Sequence, residues 1–339
     1  MSLTPQNKAY VMPLVSVVIP MYRVASLLPL CIEQICRQTH RHLELIFVDD
    51  ASPDEVSLIV EAHREALQQL GMRVLLLRHA ENRGVAQARN TALEHATGEY
   101  LYSWDADDFL EPDALERMVQ EAERIEADVI GCECFLTYNS SERRLHQADV
   151  CSGREAYTQM CKGRLKWNLW LFLIRRSLIE RGEPLRFLPG RNMGEDMMFM
   201  GKVFLRAEKV SIIHEPFYHY VKTNAEAQTQ HYTAAQWAQV DANLRELEQY
   251  VRHTQGTGAM QLLQYLKLSL KLPLLLSNDD ADLVRWSEWY PEANPYIWSN
   301  DALPLRTKLL QMAAARRQWW AVRLYRRLIT GILYKILYR

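Results

Sequence analysis

The chain has 339 residues, and its 48% hydrophobic and 24% charged residues are typical of a soluble globular protein with one large or two ordinary domains. Six cysteines without a C-x-x-C pair favour free thiols, and no segment has the pattern of a signal peptide or a membrane span. We therefore expect a cytoplasmic protein. The net charge of −1 hides an uneven distribution, because residues 302–339 contain nine Lys or Arg and no acidic residue.

Short apolar runs separated by amphipathic segments predict an α/β fold with a mostly parallel sheet covered by helices on both faces. The predicted strands are 14–20, 42–50, 72–79, 99–105 and 127–135. Ligands bind such sheets at the carboxyl ends of the strands. Unusual residues follow those ends, namely Tyr22, Asp50, Arg83 and the acidic turn from Asp105 to Asp108.

Each of these residues also has a structural explanation. Tyr22 could pack on the end of the sheet, and the acidic turn could cap the helix expected over 112–126. Ser52 and Pro53 could simply begin a helix. The coincidence of all these residues at one edge favours a binding site.

Asp105 and Asp107 are separated by one residue, a pattern that suits a hard divalent cation such as Mg²⁺ or Mn²⁺. Such a cation could offset the charge of a diphosphate and stabilise it as it leaves. Neither G-x-G-x-x-G after the first strand nor G-x-x-x-x-G-K-[ST] is present, which disfavours dehydrogenases and P-loop enzymes. The residues alone therefore indicate a metal-assisted reaction of a diphosphate compound.

Three segments carry a resemblance to a known family. They read VSVVIPMYR…CIEQICRQTHRHLELIFVDDASPD, ENRGVAQARNTALEHATGEYLYSWDADDFLEPDALE and GEDMMFMGKVFLRAEKVSIIHEPFYHY. In this order and spacing they resemble the inverting nucleotide-sugar glycosyltransferases of glycosyltransferase family 2, which have the GT-A fold. The resemblance covers about residues 14–225, and it departs from the family at Arg23, where an asparagine usually follows the tyrosine.

The resemblance implies roles for the residues of the donor site. Tyr22 would pack beside the nucleotide base and Asp50 would hydrogen-bond its edge, while Arg83 would contact the base or the diphosphate. Asp105 would face the ribose and share in metal binding, and Asp107 would bind the metal through the diphosphate. Asp108 is expected to be structural.

The segment RNMGEDMMFMGKVF places Glu195 and Asp196 at the start of an apolar helical stretch. Acids there could be no more than charges favourable to the helix dipole. The resemblance implies instead that Asp196 is the general base, with Glu195 as its neighbour. His219 and Lys222 are weaker candidates, His219 as a metal ligand and Lys222 as a diphosphate contact, and a purely structural His219 remains an alternative.

From about residue 232 the apolar spacing is helical, which predicts domains over 1–230 and 231–339. At helical pitch, residues 316–339 place two kinds of side chain on opposite sides. Val322, Tyr325, Ile329, Ile332, Leu333 and Ile336 form one side, and Arg316, Arg323, Arg326 and Arg327 form the other. The composition fits a helix at the inner face of a membrane, or one that packs on the body. A single basic helix does not predict nucleic-acid binding.

The predicted function is transfer of a sugar from a nucleotide diphosphate sugar, expected to be UDP-linked, to a saccharide or lipid-linked glycan acceptor. The resemblance suggests a role in bacterial surface polysaccharide or lipopolysaccharide synthesis. Two alternatives stay open: a non-catalytic nucleotide-sugar-binding scaffold at the membrane, and a nucleotidyltransferase.

Overall fold

The computed structural model describes residues 12–138, 141–221, 233–254, 256–277 and 279–337, with side chains described up to Leu328 in the last range. The chain forms two compact units. The first comprises Met1–Arg154 and Trp167–Leu247, and the second comprises Glu155–Lys166 and Glu248–Arg339. The domain boundary expected near residue 230 stays a prediction, since compactness alone does not define a functional domain.

The first unit contains a nine-stranded sheet. Its strands are β1 (Val15–Met21), β2 (Leu43–Asp49), β3 (Arg73–Arg78), β4 (Tyr100–Ser103), β5 (Phe109–Leu110), β6 (Val129–Thr137), β7 (Glu142–Leu145), β8 (Phe172–Arg175) and β9 (Val210–Val221). They are arranged β3-β2-β1-β4-β8-β6-β9-β5, with β7 paired to β6. All five predicted strands are present within a few residues of their expected bounds.

The sheet is more mixed than the sequence indicated. Strands β1 to β4 are parallel to one another, but β8 is antiparallel to both of its neighbours, β4 and β6. By sequence, the segment of β8 could equally form a buried helix, because a short apolar run does not distinguish a strand from a helix. The expected α/β fold class is confirmed, and the antiparallel strands were not foreseen.

Twelve α-helices are assigned in the described residues. They are α1 (Leu28–Arg37), α2 (Val56–Gln69), α3 (Val85–His95), α4 (Ala114–Ile125), α5 (Gly153–Lys162), α6 (Arg176–Glu180), α7 (Glu195–Arg206), α8 (Ala234–Thr254), α9 (Thr257–Leu276), α10 (Ala281–Glu288), α11 (Leu305–Ala315) and α12 (Trp319–Leu337). Helix α3 contacts both β1 and β2, the two strands whose apolar side chains are almost completely buried. This packing holds α3 against the β1 and β2 end of the sheet.

The second unit is helical, as expected for the carboxyl-terminal region. Helix α12 contacts α9 and α11 within it, and Val322 is completely buried. Arg326, predicted on the side of the helix opposite Val322, is also buried, with 7% exposed, and it donates to the carbonyls of Leu274 and Leu275. That part of the prediction was wrong, because the last carbonyls of α9 need donors that the helix itself cannot supply. No helix among the described residues combines the length and apolarity needed to cross a bilayer.

Candidate active site

An open cleft of about 360 Å³ lies at the carboxyl ends of β1, β2 and β4. Of the predicted residues, Tyr22, Asp50, Asp105, Asp107 and Glu195 line it. The cleft is also lined by Pro20, Met21, Val24, Asn82, Gly84, Val85, Ala88, Arg89, Ala106, Asn192 and Tyr220. The sheet therefore brings together acids that lie up to 145 positions apart in the sequence, from Asp50 to Glu195.

Tyr22 follows directly after β1 and is 40% exposed. Its neighbour Arg23 has a φ of 56°, and the backbone N–H of Arg23 donates to Ser52 Oγ at 2.7 Å. Ser52 also donates to Asp54 Oδ1, so the turns after β1 and β2 are joined by hydrogen bonds. These bonds hold Tyr22 at the wall of the cleft.

Asp50 follows β2 and is almost completely buried. Its Oδ1 accepts from the backbone N–H of Arg83 at 2.9 Å, and its Oδ2 accepts from that of Gly84 at 2.7 Å. His79 Nδ1 lies 2.6 Å from Oδ1, and its other ring nitrogen is 2.9 Å from Thr91 Oγ1. Asp50 therefore binds the loop that leads into α3. Arg83 takes part through its backbone, and its side chain is not among those that line the cleft.

The acidic turn from Asp105 to Asp108 divides into two parts. Asp105 and Asp107 line the cleft, with the Asp105 side chain 29% exposed. Asp108 is buried and accepts from Tyr218 Oη at 2.9 Å and from the backbone N–H of Val221 at 2.8 Å. Burial, with Asp107 and Asp105 adding to it, raises the pKa of Asp108 well above its ordinary value. Asp108 thus has the structural contacts expected of it.

Helix α7 begins at Glu195, immediately after Gly194, whose φ of 75° lies in the left-handed region that glycine adopts without strain. The preceding loop is held by α8, since Asn243 Nδ2 donates to the carbonyls of Met193 and Arg191 at 2.8 and 3.2 Å. Asn192 Oδ1 accepts from the backbone N–H of Ala86 at 3.1 Å. The start of α7 is therefore fixed against the start of α3.

Arg89, on α3, joins the two acids at the start of α7 to the acidic turn. Its guanidinium donates to Glu195 Oε1 and Asp196 Oδ1, each at 2.9 Å, and to Asp105 Oδ1 at 3.3 Å. The Arg89 side chain is only 5% exposed. One buried cation therefore holds three carboxylates together. The sequence reasoning missed Arg89, although it lies within the quoted ENRGVAQARN segment.

The two acids at the start of α7 differ in exposure to the cleft. Glu195 lines it, whereas Asp196 is not among the lining residues although its side chain is 17% exposed. Asp196 Oδ2 also accepts from the backbone N–H of Leu169 at 3.2 Å. Both oxygens of Asp196 thus have a donor, which fixes the orientation of the carboxylate.

Burial raises the pKa values of both acids at the start of α7. It raises the pKa of Glu195 to about 8, with the charge of Asp196 adding to the shift and Arg89 opposing it. Burial likewise raises the pKa of Asp196; Arg89 opposes the shift and Asp105 adds to it. A carboxylate with a raised pKa is a stronger base, and strongly shifted acids in a cleft are typical of functional sites.

His219 is held away from the lining of the cleft by other partners. Its Nε2 lies 2.9 Å from Glu111 Oε1, its Nδ1 lies 3.1 Å from Glu142 Oε1, and its ring contacts that of Phe135. The metal role of His219 stays a prediction that these contacts do not favour. Lys222 lies outside the described residues.

The described part of the chain contains no group of three or more His, Cys, Asp or Glu side chains arranged to hold a metal ion. Mg²⁺ and Mn²⁺ sites in nucleotide enzymes need fewer protein ligands, since one or two carboxylates are completed by phosphates and water. Asp107 and the partly exposed Asp105 offer hard oxygen ligands in the cleft. These residues fit a cation that binds together with a diphosphate.

The family model described as glycosyl transferase family 2 matches residues 16–181. The uncharacterized glycosyltransferase EpsJ of Bacillus subtilis is 33% identical over 217 residues, which cover 61% of this chain and 61% of EpsJ. Glycosyltransferase GlyG of Streptococcus pneumoniae is 30% identical over 218 residues, covering 61% of this chain and 70% of GlyG. The chain thus spans less than two thirds of the length of EpsJ.

Solved structures have the same fold at low sequence identity. The S. aureus TarS fragment 1–349 in complex with UDP-GlcNAc has a TM-score of 0.68 at 18% identity, with 94% of this chain and 92% of that chain covered. A mannosyltransferase of Pyrobaculum calidifontis in complex with GDP-Man and Mn²⁺ has a TM-score of 0.53 at 21% identity, covering 96% and 88%. These similarities support the fold.

Proposed function

Because the chain belongs to glycosyltransferase family 2, we propose that it is an inverting glycosyltransferase that uses a nucleotide diphosphate sugar, UDP-linked, as donor. The observation that carries the proposal is the Arg89 ion-pair group, which holds Asp105 of the acidic turn and Asp196 of α7 beside one cleft. A transferase needs donor-binding acids and a base at the same reaction centre. The similar fold of TarS, solved with UDP-GlcNAc, supports the donor class.

We propose that the donor lies along the carboxyl ends of β1, β2 and β4. Tyr22 packs beside the base, Asp50 with the Arg83 loop borders it, and Asp105 faces the ribose. Asp107, with Asp105, would hold Mn²⁺ or Mg²⁺ beside the diphosphate. When bound, the cation neutralises the charge that develops on the departing diphosphate.

In the proposed reaction an acceptor hydroxyl attacks the anomeric carbon from the side opposite the diphosphate. The new C–O bond forms as the bond to the diphosphate oxygen breaks, so the configuration inverts. Asp196 takes the proton of the hydroxyl, and its raised pKa favours that transfer. Arg89 and the backbone N–H of Leu169 keep the carboxylate in place, and Glu195 at the cleft wall contacts the acceptor.

The proposed acceptor is a saccharide or a lipid-linked glycan in bacterial surface polysaccharide or lipopolysaccharide synthesis. Two relatives whose names refer to polysaccharide synthesis support this. A chondroitin synthase of Escherichia coli is 37% identical over 109 residues, and a putative teichuronic acid biosynthesis glycosyltransferase of Bacillus subtilis is 35% identical over 108 residues. A cytoplasmic location and a peripheral membrane contact through 316–339 belong to the same proposal.

A panel of nucleotide sugars tests the proposed function. We expect one UDP-sugar to raise the melting temperature in the presence of Mn²⁺, and the protein to release UDP from it slowly without an acceptor. Asp107→Asn should lose the metal-dependent stabilisation, whereas Asp113→Asn, at an exposed position before α4, should not. Stabilisation without any UDP release would favour a binding scaffold, and pyrophosphate exchange would favour a nucleotidyltransferase.

A further inference from the structure

Helix α12 exposes a row of large apolar side chains on the side away from its buried residues. Trp320 is 70% exposed, Leu324 51% and Leu328 57%, and these residues follow one another at a spacing of four. A spacing of four places side chains on the same face of a helix. Val322 and Arg326, in contrast, are buried within the second unit. The exposed apolar face of α12 is therefore not the apolar side predicted from the sequence, which contained Val322.

Basic side chains lie close to this row in the sequence, Arg327 on α12 itself and Arg316 and Arg317 in the turn before the helix. Arg316, Arg317 and Arg327 are exposed, and the described part of the chain provides no ion pair for them. Arg323 and Arg326, by comparison, both pair with Asp280. Residues 302–339 contain nine Lys or Arg and no acid. The segment around the row is thus basic, and the acid that lies against α12, Asp280, is already paired with Arg323 and Arg326.

We propose that this face of α12, formed by Trp320, Leu324, Leu328 and Arg327, binds the surface of an anionic phospholipid bilayer together with Arg316 and Arg317, which precede the helix. A tryptophan and leucines buried at the headgroup boundary, with arginines near the phosphates, are the components of an interfacial helix. Two copies of the same face would bring like charges together, which disfavours self-association. The inference extends the proposed membrane contact, but it does not depend on sugar transfer.

Vesicle flotation of the full chain tests the proposal. We expect binding to vesicles of three parts phosphatidylcholine to one part phosphatidylglycerol, weaker binding in 0.5 M NaCl, and little binding to pure phosphatidylcholine. The triple variant Trp320→Gln, Leu324→Gln, Leu328→Gln should bind at least about tenfold more weakly. Leu58→Gln is the matched control, because Leu58 is 65% exposed on α2 of the other unit.

A second variant distinguishes loss of membrane binding from loss of the folded structure. Arg316→Glu with Arg327→Glu keeps the apolar row and should also abolish binding to the anionic vesicles. Both variants should retain the wild-type melting temperature and rate of UDP release without vesicles. Vesicle binding and UDP release are measured independently, so a failure of the proposed transfer reaction would not be mistaken for a failure of membrane binding. Unchanged vesicle binding in both variants would overturn the proposal. So would a wild-type dimer that the triple variant converts to a monomer.

Discussion

Arg89 on α3 and Asp196 on α7 form a 2.9 Å ion pair, although they are 107 positions apart in the sequence. The same guanidinium binds Glu195 and Asp105. A buried cation shared by three acids fixes the distance between the donor side and the proposed base. Its loss should therefore affect both stability and activity.

Replacing Arg89 by methionine should destabilise the protein by about 3 kcal/mol or more, because it leaves buried carboxylates without a cation. Urea unfolding monitored by tryptophan fluorescence measures this. Arg37→Met is the control, since Arg37 forms an exposed pair with Glu33 and should change stability by less than about 0.5 kcal/mol. A free energy of unfolding within about 1 kcal/mol of wild type for Arg89→Met would contradict the structural role.

Asp196→Asn should lower the transfer rate by about 10²- to 10⁴-fold, because the amide cannot accept the proton of the hydroxyl. Donor binding should stay close to wild type, since Asp196 is not among the residues that line the cleft. Isothermal titration with the UDP-sugar and a steady-state rate assay separate the two effects. Glu195→Gln is the comparison, and a larger loss of rate there would assign the base to Glu195 instead.

Glu195 should make stability depend on pH. Its pKa is raised from 4.5 to about 8, so between these values the folded protein binds a proton that the unfolded chain has released. The free energy of unfolding therefore falls as pH rises from 4.5 to 8. Glu195→Gln should remove this part of the slope, which we expect to exceed roughly 1 kcal/mol across the window.

Urea titrations at pH 5, 6.5 and 8 measure the effect as the difference between variant and wild type at each pH. Glu33→Gln, which changes an exposed acid, should follow the wild-type curve. A constant difference between Glu195→Gln and wild type at all three pH values would show that Glu195 binds no extra proton in the folded state.

Arg23→Asn should stabilise the protein by about 0.5–1 kcal/mol, because Arg23 has a φ of 56° and asparagine tolerates this left-handed conformation better. The family usually has asparagine at this position, so the change also restores the common residue. Arg23→Ala is the control, since it removes the same side chain but not the backbone strain. Equal melting temperatures for the two variants would contradict the explanation.

Most strands of the first unit could be predicted from the sequence. Strands β1 to β4 and β6 are continuous apolar or β-branched runs, and such runs bury well only in a covered sheet. The acids at the ends of β2 and β4 were therefore correctly expected at one edge. Strand β9 was missed because its polar residues, such as His214 and Glu215, interrupt the apolar pattern.

Which charged side chains are buried could not be predicted before the fold was known. Nothing in the sequence of α3 marks Arg89 as buried, and only the approach of α7 surrounds it with acids. Arg326 was expected on the side of α12 opposite Val322, but it is buried as well, because it donates to the last carbonyls of α9. Apolar patterns report local burial, whereas a buried charge depends on partners that folding brings from distant positions. The partners of Arg89 and Arg326 therefore became known only from the structure.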